Sequence, residues 1–404
     1  MRVRFPLDLI SQIRQHRGFA MKYDFDTVVD RRNTTSVKWD ILKEGELPMW
    51  VADMDFKAAP EILEAIQKRL DNGVFGYSII PGEWADSYVR WWKNRHDLDI
   101  DPSWLSFATG VIPILACAVR KFTSPGDNVL IQTPVYNMFF KSVESNDRKV
   151  LESPLVYKDG EYFMNLQDLE RKLSDPKTTM MFLCNPHNPV GKVWDKETLE
   201  KVGELCWKHN VLVLSDEIHC DITDPGVSYV PFASLSEHCR ENSITAIAPT
   251  KTFNIAGIQS AAAMASNPEI CQKIRTALAT DNVNEPNAFS VATTVAAFNH
   301  GGQWLDEFRS YLYENKQTVL KFVKENIPQL HIVPSQATYL LWLDCSAFTS
   351  DSVKFAKDIR DKSGLFLSNG TQYGETGKSF LRMNIACPRT LLMDGLDRLK
   401  RALC

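Results

Sequence analysis

The 404-residue sequence contains no uninterrupted run of about 18 apolar residues, which excludes a membrane-spanning helix. It has no surplus of positive charge: 46 Lys and Arg stand against 50 Asp and Glu, a net charge of −4, with no basic stripe. Nucleic acid is therefore not expected as a partner. Its nine cysteines form no CxxC or CxC pair and lie far apart, so they read as reduced thiols of a cytoplasmic protein rather than a disulfide framework. No internal repeat and no low-complexity tract is present. The first residues lack the apolar stretch of a signal peptide, because Asp8, Gln12 and Arg14 interrupt it, and Met21 begins a more ordinary opening. Residues 1–20 are read as an extra N-terminal segment.

What is there is an ordinary globular balance, 44% hydrophobic and 24% charged, in a chain long enough for two or three domains at about 150 residues each. Short continuous apolar runs, Val129–Ile131, Met180–Leu183 and Val211–Leu214, predict strands buried on both faces of a parallel sheet. Ser243–Ala248 and Ile258–Met264 are weaker versions. Between the second and third runs, Leu199, Val202, Leu205 and Cys206 recur at helical spacing behind Asp195, a candidate N-cap. Strand, helix, strand is the unit of an α/β fold whose ligands bind at the carboxyl ends of the strands. The ends differ: a helix starting at Pro60 presents Ile62, Leu63, Ile66 and Leu70 on one face, and 304–326 reads as a long amphipathic helix. The expected division is 21–65 and 304–404 together in a smaller α+β domain, around a large α/β domain at 66–303.

If the middle is a parallel sheet, the residues after its strands converge. These are Thr109, Gly110 and Val111 opening a helix, Asn185 in CNPHNPVG, Asp216 in SDEIH and Lys251 in APTKTFNIAG. Each alone has a bland explanation, a solvated charge or a turn. Together they are the set that pyridoxal 5′-phosphate chemistry requires: a lysine for the Schiff base, a carboxylate for the pyridine nitrogen, an amide for the phenolic oxygen and a helix N-terminus for the phosphate. Two rivals are weaker. VLVLSDEIH looks like a helicase box, but no GxxxxGKS or GxxxxGKT loop accompanies it. Asp216, Glu217, His219, Cys220 and Asp221 suggest a metal cluster, yet neighbours on a strand point to opposite faces, and no metal site is expected.

NPHNPVG, SDEIH, TKTFNIAG and FLRMNIACPR, in this order, resemble fold-type I pyridoxal-phosphate enzymes of the class I/II aminotransferase group. The fuller phrases WVADMDF, GYS near residue 77, TPVYNMF, SDEIHCD and KTFNIAGIQ resemble its MalY/PatB branch, carbon–sulfur β-lyases of the cystathionine β-lyase type. The resemblance runs from about residue 22 to the end. It implies that Lys251 carries the cofactor, Asp216 pairs with the pyridine nitrogen, Asn185 meets the phenolic oxygen and Tyr136 stacks on the ring. It implies phosphate contacts from Gly110, Val111 and Thr250, with Tyr77 reaching across a homodimer interface, and an α-carboxylate clamp at Arg382 beside Asn185 and Ala52. The segment 282–290 is expected near the neighbouring site. Two departures from the wider group, His219 where a tyrosine is usual and Gln259 where an arginine is usual, agree with this branch. The implied activity is β-elimination from cystathionine or a related S-substituted cysteine, in methionine biosynthesis, with aminotransfer as the alternative.

Overall fold

The apolar runs become the middle strands of a seven-stranded sheet in the computed structural model, which describes residues 21–404; the reading of residues 1–20 lies outside the described residues. The strands are β1 (Leu105–Ala108), β2 (Asn128–Ile131), β3 (Lys149–Glu152), β4 (Thr178–Cys184), β5 (Leu212–Asp216), β6 (Ser243–Ile247) and β7 (Ala261–Met264). Their order is β1-β7-β6-β5-β4-β2-β3, and β7 alone runs antiparallel to its neighbours. This is the mostly parallel α/β sheet expected from the sequence.

Alternation along each strand explains why the runs are apolar throughout. Val129, Ile131, Met180, Phe182 and Leu214 pack with Val111, Ile114 and Leu115 of helix α3 (Val111–Phe122) on one face. On the other, Leu130, Met181, Leu183 and Val213 meet Leu199, Val202, Leu205 and Cys206 of α4 (Lys196–Lys208). Burying each such side chain stabilises the fold by about 1.5–3 kcal/mol. The Asp195 carboxylate caps α4, accepting the Thr198 N–H at 2.8 Å, as its position predicts.

A four-stranded antiparallel sheet, β8 (His331–Ile332), β9 (Leu340–Asp344), β10 (Ser368–Asn369) and β11 (Phe380–Asn384) in the order β8-β9-β11-β10, lies in the C-terminal part. The N-terminal segment is tied to this part of the chain by a separate two-stranded parallel pairing of Leu47–Pro48 with Leu365–Phe366. Among the described residues, no helix is long and apolar enough to cross a membrane.

Two local expectations change. The strand expected over Ile258–Met264 starts at Ala261, because Ala256–Ile258 forms a single 3-10 turn and Gln259 takes a left-handed φ of 55°. Helix α1 (Pro60–Asn72) forms where Pro60 predicts and ends at Gly73, whose φ of 70° suits a residue without a side chain. Its apolar face is divided: Ile62 is buried and Ile66 packs against the core, but Leu63 and Leu70 are 44% and 49% exposed. The exposure continues through Val74, Phe75, Tyr77 and Ile79 before α2 (Gly82–His96) begins.

Candidate active site

The sheet register brings the predicted residues to one edge. Cys184 pairs with Asp216, and Asp216 with Ala246, so β4, β5 and β6 end level, and the Asn185 N–H donates to the Asp216 carbonyl at 3.0 Å. Lys251 follows β6 on the single helical turn Pro249–Thr252. Its Nζ donates to the Ala52 carbonyl at 2.6 Å, a contact spanning nearly 200 residues of chain that ties this edge to the N-terminal segment. Burial brings the lysine down to about 8, while Asp53 and Asp216 oppose the shift and Arg382 adds to it.

Asp216 is 3% exposed and pushed up to about 7 by burial; its carboxylate accepts only the Ile218 N–H, at 3.2 Å, among the described residues. It is a buried acid with one weak donor, and a cationic partner would stabilise it most. Tyr136 lies close enough to feel both Asp216 and Arg382, and burial pushes its phenol up to about 12. His219, also buried, is brought down to about 3 by burial and by the charges of Lys251 and Arg382, so its ring is neutral. Its Nδ1 has no hydrogen-bond partner among the described residues.

Arg382 is anchored from β11. Its Nη2 donates to the Trp50 carbonyl at 2.9 Å, Nη1 to Asn188 Oδ1 at 3.0 Å, and the guanidinium lies 4.9 Å from the centre of the Tyr373 ring, leaving Nε without a partner among the described residues. Asn188, not Asn185, is therefore the amide at the arginine. The Asn185 side chain is spent on backbone groups, accepting the Trp194 N–H of its own loop at 3.3 Å and donating to the Val230 carbonyl of a distant one at 3.4 Å. CNPHNPVG offers two asparagines, and sequence spacing alone does not choose between them.

Ala52 sits in a bent segment whose carbonyls are pinned. Trp50 O accepts Arg382 and Ser368, Val51 O accepts Asn384, Asp53 O accepts Asn384 and Lys38, and Met54 O accepts Arg31 and Asn254. Sequence reasoning also missed Tyr339, which donates from Oη to Ala52 O at 3.2 Å; an aromatic just ahead of β9 reads as core, and no spacing rule marks it.

Gly110 is the N-cap of α3, and Thr250 is buried next to Lys251 in the chain. The first turn of α3 offers backbone N–H groups without intrahelical partners. Gln259 is exposed, and Tyr77 is exposed and touches none of these residues. The SDEIHCD residues fan apart. Asp216 and His219 face Lys251, Glu217 is held by Ser215, Tyr229 and the Phe232 N–H, and Asp221 accepts Trp91, His96 and Thr252. Cys220 and Asp221 lie within 4.8 Å of His96.

The family description "aminotransferase class I and II" matches residues 47–399. Over 387 residues, 94% of this chain and all of the relative, the sequence is 43% identical to cystathionine beta-lyase PatB of Bacillus subtilis (strain 168). It is 32% identical to protein MalY of Escherichia coli (strain K12), covering 94% of this chain and 99% of the relative. The chain belongs to the class I and II aminotransferase family, in its MalY/PatB branch. The structure of cystalysin from Treponema denticola, which contains pyridoxal 5′-phosphate, superposes with a TM-score of 0.91 at 35% identity, over 95% of this chain and 99% of that one.

The MalY/PatB donor set fits that cofactor on the geometry of this chain. A buried carboxylate short of a cation, a lysine amine of lowered proton affinity, a neutral histidine with a free Nδ1, a buried threonine and a helix N-terminus follow the strands at one edge. No residue in this set requires a different group.

Proposed function

We propose that this protein is a pyridoxal 5′-phosphate-dependent carbon–sulfur β-lyase that cleaves L-cystathionine, or a related S-substituted cysteine, to a thiol, pyruvate and ammonia. The observation that carries the reading is Lys251 directly after β6, level with Asp216 at the end of β5 and close enough to Arg382 to feel its charge, in a chain that covers PatB from end to end. The cofactor, when bound, supplies an electron sink for the pair left at Cα.

The chain's own residues do the rest. Arg382, held by Trp50 O and Asn188, grips the substrate α-carboxylate and so fixes which Cα–H faces Lys251. The Lys251 amine, near neutral proton affinity, takes that proton and is placed to pass it to the departing sulfur. Asp216 holds the ring nitrogen protonated; Tyr136 stacks on the ring. Gly110, Val111 and Thr250 bind the phosphate. Asn188, whose amide is at Arg382, meets the phenolic oxygen in place of Asn185, and buried His219 lies near Lys251 and Arg382. Ala52 acts through its carbonyl.

The finer assignments rest on further observations. The exposed apolar run from Leu63 to Ile80, with Phe289 packed on Phe75 at 5.7 Å and the Ala288 carbonyl accepting Arg69, supports a homodimer in which Tyr77 completes the partner's phosphate site. Among the described residues none of the nine cysteines is disulfide-bonded, which supports a cytoplasmic enzyme; a homocysteine product would serve methionine biosynthesis. Borohydride reduction of the purified yellow protein, followed by peptide mapping, should leave the cofactor's mass on Lys251. A label on another lysine, or none, would overturn the assignment.

A further inference from the structure

Two donors from distant parts of the chain converge on one carbonyl. Ala52 O accepts Lys251 Nζ at 2.6 Å and Tyr339 Oη at 3.2 Å. Neither the carbonyl nor the phenol has room to drift. The flanking carbonyls of Val51 and Asp53 are both held by Asn384. Tyr339 is 1% exposed, its own carbonyl accepts the Ile385 N–H at 2.9 Å, and its ring meets His219 edge-on at 6.0 Å.

We infer that Tyr339 is a positioning residue that sets the proton affinity of Lys251 by competing with it for the Ala52 carbonyl. The inference rests on the reading of Lys251 as the proton-transferring lysine. A carbonyl that already accepts an O–H has less electron density to offer an ammonium, and the positive end of the hydroxyl dipole lies close to that ammonium. Both effects disfavour the protonated lysine, so removing the hydroxyl gives the carbonyl to Lys251 alone and strengthens its hold on a proton. The other groups facing the lysine are Asp53 on the N-terminal segment and Asp216 on β5, which favour the ammonium, and Arg382 on β11, which disfavours it. His219 and Tyr136 are uncharged. Tyr339 is thus the neutral group that trims the lysine toward the operating pH, where a residue that both takes and gives a proton works best.

The test uses the full-length protein with its cofactor removed and then restored. Only the unprotonated lysine attacks an aldehyde, so the rate at which yellow colour returns on adding pyridoxal 5′-phosphate, measured against pH, reports the Lys251 midpoint directly. Tyr339→Phe should move that midpoint up by about one pH unit, the size of one hydrogen bond's net contribution, with the high-pH plateau unchanged. Installing 3-fluorotyrosine at position 339, which keeps the shape and strengthens the donor, should move it down, and this second protein carries the test if the phenylalanine variant does not fold. Midpoints that coincide with the wild type, or move in the opposite directions, would overturn the role of Tyr339. Equal colour return in Lys251→Ala would instead overturn the reading of Lys251, and this inference with it.

Discussion

Replacing Asp216 by asparagine is expected to raise the melting temperature of the cofactor-stripped protein while removing most of its activity. The side chain is 3% exposed with a single long N–H donor, and burial moves its carboxyl from 3.8 to about 7. Between those two values the folded chain keeps a proton that the unfolded chain has lost, so stability falls as pH rises from about 4 to about 7 and stays low above that. A displacement of about three pH units corresponds to ~4 kcal/mol as an upper bound; local relaxation and water entry reduce it to about 1–2 kcal/mol. Asparagine carries no charge to bury. Thermal melts of the stripped proteins should therefore show Asp216→Asn higher by roughly 2–4 °C at pH 8, with the gap closing near pH 4. Restoring the cofactor should reverse the order, because the carboxylate then has its cationic partner and the amide does not. Turnover should fall by about 10²–10³, as for other groups that stabilise developing charge. Equal melting temperatures at pH 8, or a gap that ignores pH, would refute the reasoning.

Lys251→Ala should lose both the yellow absorbance and turnover, read by a visible spectrum and a thiol assay; a variant that kept the two would remove the lysine from the mechanism. Arg382→Lys keeps the charge but loses the fork that spans Trp50 O and Asn188, so KM should rise about tenfold or more in steady-state kinetics. Asn188→Ala should lower cofactor affinity and raise KM more than Asn185→Ala does, whose cost should fall on stability, measured by melting. Tyr77→Phe should weaken cofactor retention in a dimer; a monomeric mass by light scattering with full activity would contradict the shared site.

The parts legible in the sequence were those with a one-dimensional cause. Val129–Ile131 and Met180–Leu183 are apolar at every position because the sheet is covered on both faces, and Asp195 caps because its carboxylate reaches a helix's first N–H groups. The edge where Asp216, Lys251 and Gly110 gather follows from strand ends. What was not legible depends on pairings between distant segments. Asn188 is chosen over Asn185 by an arginine nearly 200 positions away, and Tyr339 matters only because Ala52 O comes to it. The outward face of α1 is another case: Leu63 and Leu70 keep helical spacing whether the surface they meet is the core or a second copy of the chain.

The most direct test of the account is to add L-cystathionine to the purified yellow protein without any keto acid and to measure pyruvate and free thiol in the same sample. The account predicts both in equal amounts over many turnovers. A protein that makes neither, yet turns over once a keto acid is supplied, would contradict it and be an aminotransferase instead.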